Sequence, residues 1–143
     1  MEQSKLISLV IAKLKVAYPH YFEKLTDEEF LGFVSLYQEN LLNCNANALI
    51  LAIKNIIRKS KYMPSLAEII EEYKKYEKEY FLELIKSSNI DFKDKNYLLS
   101  MVEWYSLHEE YPKDILQKIH NIENNSLLEN KKEALIYDNQ RTI

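Results

Sequence analysis

Apolar residues recur every three or four positions along most of the chain, and this spacing predicts amphipathic helices with one buried face. No segment shows the alternation of apolar and polar residues that is typical of a half-buried strand. The apolar stripes predict helices over about residues 6–17, 27–42, 45–59, 65–84, 97–105 and 112–122, with a weaker one over 126–137. We therefore predict an all-α protein, a helical bundle of six or seven helices.

Helix-capping residues at the predicted helix ends support these assignments. Residues 26–29, 65–68 and 126–129 each place a Ser or Thr three positions before a Glu, which is the pattern of a capping box. The first helix should stop at Tyr18, because the residue before a proline, here Pro19, is disfavoured in the α region. Pro112 lies where the sixth predicted helix begins, since proline fits the first turn of a helix.

The segment from Ser87 to Asp94 has no helical period and contains several turn-forming residues, so it is the best candidate for a domain boundary. It separates a four-helix N-terminal unit, spanning about residues 4–86, from a smaller helical C-terminal unit. The predicted domains are therefore 1–86 and 87–143. The last residues, 138–143, are expected to be frayed.

The composition excludes several classes of function. The 143 residues include one glycine, Gly32, so neither a P-loop nor a dinucleotide-binding turn can be built. The net charge of -3 argues against a general affinity for nucleic acid, and any such contact would have to be local. Because Cys44 is the single cysteine and no apolar run is long enough to span a bilayer, we predict a cytoplasmic protein with no membrane partner.

The polar residues show no arrangement that is typical of catalysis or metal binding. The histidines share no metal-binding spacing, and Cys44 has no histidine near it in the sequence to activate it. The adjacent carboxylates at 71–72 and 109–110 point about 100° apart on a helix, so neither pair can flank one substrate bond unaided. We predict that the protein is not an enzyme and has no cofactor and no metal site.

Positive charges are concentrated at the end of the third predicted helix, on Lys54, Arg58, Lys59 and Lys61. One interpretation is that these cations complement the helix dipole and solvate the helix end. The other is that they form a patch for nucleic acid or for an acidic partner, although an isolated basic turn lacks the exposed aromatic residues of a single-strand groove. The sequence leaves both interpretations open.

Two large aromatic residues, Tyr97 and Trp104, share the side of the fifth predicted helix that lies opposite its apolar stripe. The C-terminal unit carries more large apolar groups than a few short helices can bury among themselves. Since Trp and Tyr frequently anchor interfaces, we predict that both residues face a partner. The alternative is that Trp104 packs against the fourth predicted helix, at the edge formed by Tyr76 and Tyr80.

The order of short motifs in the first half of the chain resembles a known family. An amphipathic helix ending in Ala17-Tyr18-Pro19 is followed by the aromatic pair Tyr21-Phe22, by the helix start at 26–29 and by segment 62–69, which reads Tyr-Met-Pro-Ser-Leu-Ala-Glu-Ile. Over residues 4–75, this order is similar to the phage replicative-helicase loader and inhibitor family. From about Asn89 onward the chain departs from the family pattern, since it carries Trp104 and many leucines and isoleucines.

The resemblance implies a small all-helical protein that binds a DnaB-type hexameric helicase, holds it inactive and delivers it to an origin-bound initiator. We therefore expect an adaptor in phage or prophage DNA replication, with weak or no direct contact to nucleic acid. One alternative is a small helical DNA-binding regulator that uses the basic patch, although the acidity of the chain disfavours it. Another alternative is a phage-encoded inhibitor of a host enzyme.

Overall fold

The computed structural model describes residues 2–108 and 110–126, and the regular structure within these ranges is entirely helical. The helices are α1 (Gln3–Ala17), α2 (Pro19–Glu23), α3 (Asp27–Leu41), α4 (Ala46–Lys59), α5 (Leu66–Lys86), α6 (Phe92–Ser106) and α7 (residues 113–126). The prediction of an all-α helical bundle is confirmed. Apart from Ser126, the predicted helix over 126–137 and the predicted frayed end lie outside the described residues.

The chain divides into two compact units, of which unit 1 ends at Glu77 and unit 2 begins at Lys78. The division falls inside α5, so the first part of this helix belongs to unit 1 and its last part to unit 2. The sequence places the boundary after α5, at residues 86–87. Turn-forming residues are visible in the local sequence, whereas the packing partners of each helical turn are not.

The core of unit 1 is built around α1, which packs against α2, α3 and α4. The inward face of α1 is the predicted stripe, because its apolar residues recur at helical spacing and are all buried. The buried apolar side chains of unit 1 include Leu6, Ile7, Val10, Ile11, Leu14, Tyr18, Tyr37, Leu41, Ala48, Leu49, Ala52, Ile53, Ile56, Ile69 and Tyr73. The face of α4 opposite this core carries the exposed Lys54 and Arg58.

Two of the predicted capping boxes are formed. The Thr26 hydroxyl accepts the backbone N–H of Glu29 at 3.1 Å, and the Glu29 carboxylate accepts the N–H of Thr26 at 3.1 Å. Ser65 and Glu68 exchange the equivalent pair of bonds at the start of α5. These side chains satisfy backbone donors that a helix start would otherwise leave unpaired, so they define where α3 and α5 begin.

The short helix α2 is absent from the sequence-based prediction, which treats Pro19 only as the end of α1. Proline also starts a helix well, because its φ angle is already helical and its missing N–H is not needed at the first position. Helix α2 places Phe22 edge-on to Phe33, with 5.2 Å between the ring centroids. Phe33 in turn stacks on the buried Tyr37 at 4.2 Å, so α2 is held against α3 by aromatic packing.

Unit 2 has a separate apolar core. It consists of Phe81, Ile85, Leu98, Val102, Ile115, Ile119 and Ile122. A hydrogen bond from the Tyr80 hydroxyl to the Glu123 carboxylate, 2.5 Å long, links α5 and α7 beside this core. Helix α6 begins at Phe92 rather than at the predicted residue 97, with the acidic Asp94 in its first turn, where the helix dipole favours negative charge.

Gly32 lies in the middle of α3 with an exposed backbone position, and a Cβ atom built there meets no other atom within 4 Å. We expect Gly32→Ala to raise the free energy of unfolding by about 1 kcal/mol, because alanine loses less conformational entropy in a helix. Urea unfolding followed by circular dichroism measures this change. Ser35→Ala in the same helix serves as the control and should give a smaller gain. A destabilised Gly32→Ala protein would contradict the open environment of this residue.

Candidate functional site

The first candidate surface lies at the end of α4 and is formed by Lys54, Arg58, Lys61 and Tyr62; we call it the basic–aromatic surface. Lys54 and Arg58 are one helical turn apart on the side of α4 that faces away from the core, and both are exposed. Lys61 and Tyr62 follow in the connection to α5. The Tyr62 ring is 78% exposed, and the Lys61 Nζ lies 5.7 Å from its centroid.

Lys59, the fourth cation of the predicted patch, is paired with a buried carboxylate of α5, although its own side chain is 52% exposed. Its Nζ lies 2.7 Å from a carboxylate oxygen of Glu72, and the Asn55 side-chain amide donates to the other oxygen at 2.6 Å. Glu72 is only 6% exposed. The hydrogen bond from Lys59, more than that from Asn55, holds the pKa of the Glu72 carboxyl below its usual value. Lys59 therefore ties α4 to α5, whereas the other three cations form no ion pair with the described residues.

The lowered pKa of Glu72 makes a pH-dependent contribution to stability. The contribution is complete above the ordinary pKa of 4.5 and is lost as the pH falls through the lowered value, because the folded state must then protonate a carboxylate that it binds tightly. We expect Glu72→Gln to lower the free energy of unfolding by about 1–3 kcal/mol near neutral pH, and by less in acid. Urea unfolding across the acidic range measures the difference between the two proteins.

Glu71→Gln is the matched control for this experiment, since Glu71 is the exposed neighbour on the same helix. It should leave the unfolding free energy within about 0.5 kcal/mol of the unchanged protein. If the free energy of unfolding depends on pH in the same way in the Glu72→Gln and Glu71→Gln proteins, the contacts of Glu72 contribute nothing to stability.

The segment that carries Lys61 and Tyr62 is held at both ends. Before it, the buried Tyr18 donates its hydroxyl proton to the Ser60 carbonyl at 2.7 Å, and the Ser60 N–H bonds to the Ile56 carbonyl at 2.9 Å. After it, Pro64 is buried. Tyr18, from the Tyr-Pro motif at the end of α1, thus contacts the residue just before the segment, and the buried Pro64 follows Tyr62 by two residues.

A half-buried polar cluster joins the start of α4 to α5. The Tyr73 hydroxyl accepts the backbone N–H of Asn45 at 2.9 Å and donates to the Glu77 carboxylate. Burial raises the pKa of the neighbouring Cys44 thiol to about 12 and also raises the pKa of Glu77. A thiol in this environment stays protonated at neutral pH and is a poor nucleophile. Within the ranges that the structure describes, no group of three His, Cys, Asp or Glu could hold a metal ion.

The second candidate surface belongs to unit 2, because α6 carries large apolar residues on both of its faces. Its inward face buries Leu98 and Val102, which are 3% and 0% exposed. The opposite side carries Tyr97, Trp104 and Leu107, which are 47%, 52% and 82% exposed and which we call the outer face of α6. A shallow depression beside Trp104 is lined by Leu99, Ser100, Glu103, Trp104 and Leu107.

Trp104 is oriented by residues of its own helix and the turn that follows it. Its ring stacks on the His108 ring at 3.8 Å between centroids and meets Tyr105 edge-on at 4.7 Å. The ammonium group of Lys118 lies 5.3 Å from the centroid of the Tyr97 ring. These contacts orient the aromatic rings, yet about half of each side chain remains open to solvent. Trp104 is therefore not a core residue.

The structure brings Lys54 and Arg58 together in unit 1 and Tyr97 and Trp104 together in unit 2. Sequence reasoning missed Tyr62 and Leu107. Tyr62 directly follows Lys61, and Leu107 lies three positions after Trp104, so the residue spacing could have indicated that each belongs to the neighbouring surface.

Comparison of the chain with protein-family models, with curated proteins and with solved structures gave no match. Among the described residues, no helix combines the length and the apolar character that a membrane crossing requires.

Proposed function

We propose that the protein is a non-enzymatic adaptor that binds a partner protein through the outer face of α6. The observation behind this proposal is that α6 carries large apolar side chains on two opposite faces. Leu98 and Val102 attach the helix to the core of unit 2, whereas Tyr97 and Trp104 point away from that core and remain about half exposed. An exposed group of large apolar side chains is typical of an interaction surface.

The residue types on the outer face of α6 suit a protein interface. Trp and Tyr bring a large contact area with few rotatable bonds, so little entropy is lost when a partner orders them. The stacking of Trp104 on His108 restricts the indole ring before binding. The exposed Leu107 extends the apolar area by one turn beyond Trp104. A complementary partner would remove water from all three side chains of this face.

For the partner, we propose a DnaB-type replicative helicase of a phage or prophage replication system, which the chain would load, inhibit or both. Support for this choice comes from the resemblance of residues 4–75 to helicase loaders and inhibitors. The adaptor would contribute no ATPase activity of its own, since a chain whose single glycine is Gly32 cannot form a P-loop. Any change in the helicase ATPase rate would then arise from contact between the two proteins.

Calorimetry with a purified DnaB-type helicase tests this proposal. The full chain should bind the hexamer with a dissociation constant of about 10 µM or lower and should change its ATPase rate. The chain titrated with ATP in the absence of helicase should give no binding heat. If the helicase does not bind with a dissociation constant in this range, the helicase is not the partner. Binding of ATP by the chain alone would contradict its role as a non-enzymatic adaptor.

A further inference from the structure

We infer that the basic–aromatic surface of unit 1 is a binding site for single-stranded nucleic acid. This inference goes beyond the proposed function and is independent of it, because it concerns residues of α4 and the following segment rather than the outer face of α6. It rests on three features of the surface: cations that form no ion pair with the described residues, their spacing along α4 and an exposed aromatic ring beside them.

The charges of this surface are available to a ligand. The ion pairs found among the described residues do not involve Lys54, Arg58 or Lys61. The nearby buried carboxylate of Glu72 is already satisfied by Lys59 and Asn55, so it does not offset the exposed cations. Although the chain as a whole is acidic, the end of α4 therefore carries a local positive charge. Local cations of this kind are what a phosphate backbone requires.

The arrangement of the cations suits an extended strand. Lys54 and Arg58 are four residues apart on one face of α4, which separates their Cα atoms by about 6 Å along the helix axis. This rise is close to the distance between neighbouring phosphates of an extended single strand. Lys61 lies two residues beyond the end of α4 and adds a third cation next to Tyr62, so the positive charge extends from the helix to the exposed ring.

Tyr62 favours nucleic acid over an acidic protein as the ligand, and a single strand over a duplex. Its ring is 78% exposed and is carried by a segment that is anchored through Ser60 and the buried Pro64. Bases stack on exposed aromatic rings of this kind, and they offer their faces only when they are unpaired. An acidic peptide would use the cations but would gain little from the ring.

Fluorescence anisotropy with a labelled single-stranded DNA of about 15 nucleotides tests the inference on the full chain. We expect weak binding that falls about 20-fold between roughly 50 and 200 mM salt, since three phosphate contacts give a slope of about −2 on a log–log plot. Tyr62→Ala should weaken binding about tenfold and Tyr62→Phe should retain it, because a phenyl ring still stacks. A duplex of the same length should bind more weakly than the single strand.

The triple charge reversal Lys54→Glu, Arg58→Glu and Lys61→Glu should abolish binding. Its matched control reverses Lys5, Lys13 and Lys24, which are exposed lysines of unit 1 outside the basic–aromatic surface, and so reaches the same net charge. The control should keep its affinity within about threefold, and circular dichroism should show both variants folded. No binding at low salt, equal loss in both triple variants, or preference for the duplex or for a polyglutamate peptide would each overturn the inference.

Discussion

Replacing Leu98 by alanine is expected to lower the free energy of unfolding of unit 2 by about 3 kcal/mol. Leu98 is 3% exposed and belongs to the core formed by α5, α6 and α7, where the lost methyl groups leave a cavity that the neighbours fill only in part. The measurement is urea unfolding followed by tryptophan fluorescence. Trp104 is the single tryptophan of the chain and lies on the same helix, so its emission reports on unit 2.

Leu107→Ala is the control for this measurement, because it removes the same side chain from a position that is 82% exposed. It should change the unfolding free energy by no more than about 0.5 kcal/mol. If the two substitutions cost the same, the assignment of Leu98 to the inward face of α6 and of Leu107 to its outer face is wrong.

Trp104→Ala is expected to weaken binding of the proposed helicase partner by about 2 kcal/mol or more, which is roughly 30-fold in the dissociation constant. In the proposed complex the partner would bury the indole ring, and its removal would leave an unfilled pocket there. The fold should change little, because the ring is 52% exposed and its contacts with Tyr105 and His108 contribute only about 1 kcal/mol. Calorimetry gives the affinity, and thermal melting by circular dichroism gives the stability.

Phe92→Ala provides the matched control for Trp104→Ala. Phe92 is another exposed aromatic residue of α6, at 74% exposure, but it projects about 120° around the helix from Trp104. This control should retain the affinity for the helicase. Unchanged affinity in Trp104→Ala, or a loss of stability as large as that of Leu98→Ala, would refute the role of the outer face of α6.

The helical class, most helix positions and several helix starts could be predicted from local sequence patterns. These properties depend on interactions within a few residues. The capping box at 26–29 and the stripe along α1 are examples, since each is complete within a few helical turns. The same periodicity placed Tyr97 and Trp104 on one side of α6 and Leu98 on the other, as the structure shows.

Which polar and aromatic residues are available to a ligand depends on how the helices pack together. Arg58 and Lys59 are neighbours in the sequence and both are exposed, yet Lys59 forms an ion pair with Glu72 on α5 while Arg58 forms none with the described residues. The exposed Tyr62 likewise follows a residue, Ser60, whose carbonyl accepts a hydrogen bond from the distant Tyr18. Contacts of this kind join segments that are far apart along the chain. A pattern read over a few turns cannot contain them, because they form only when separate helices pack together.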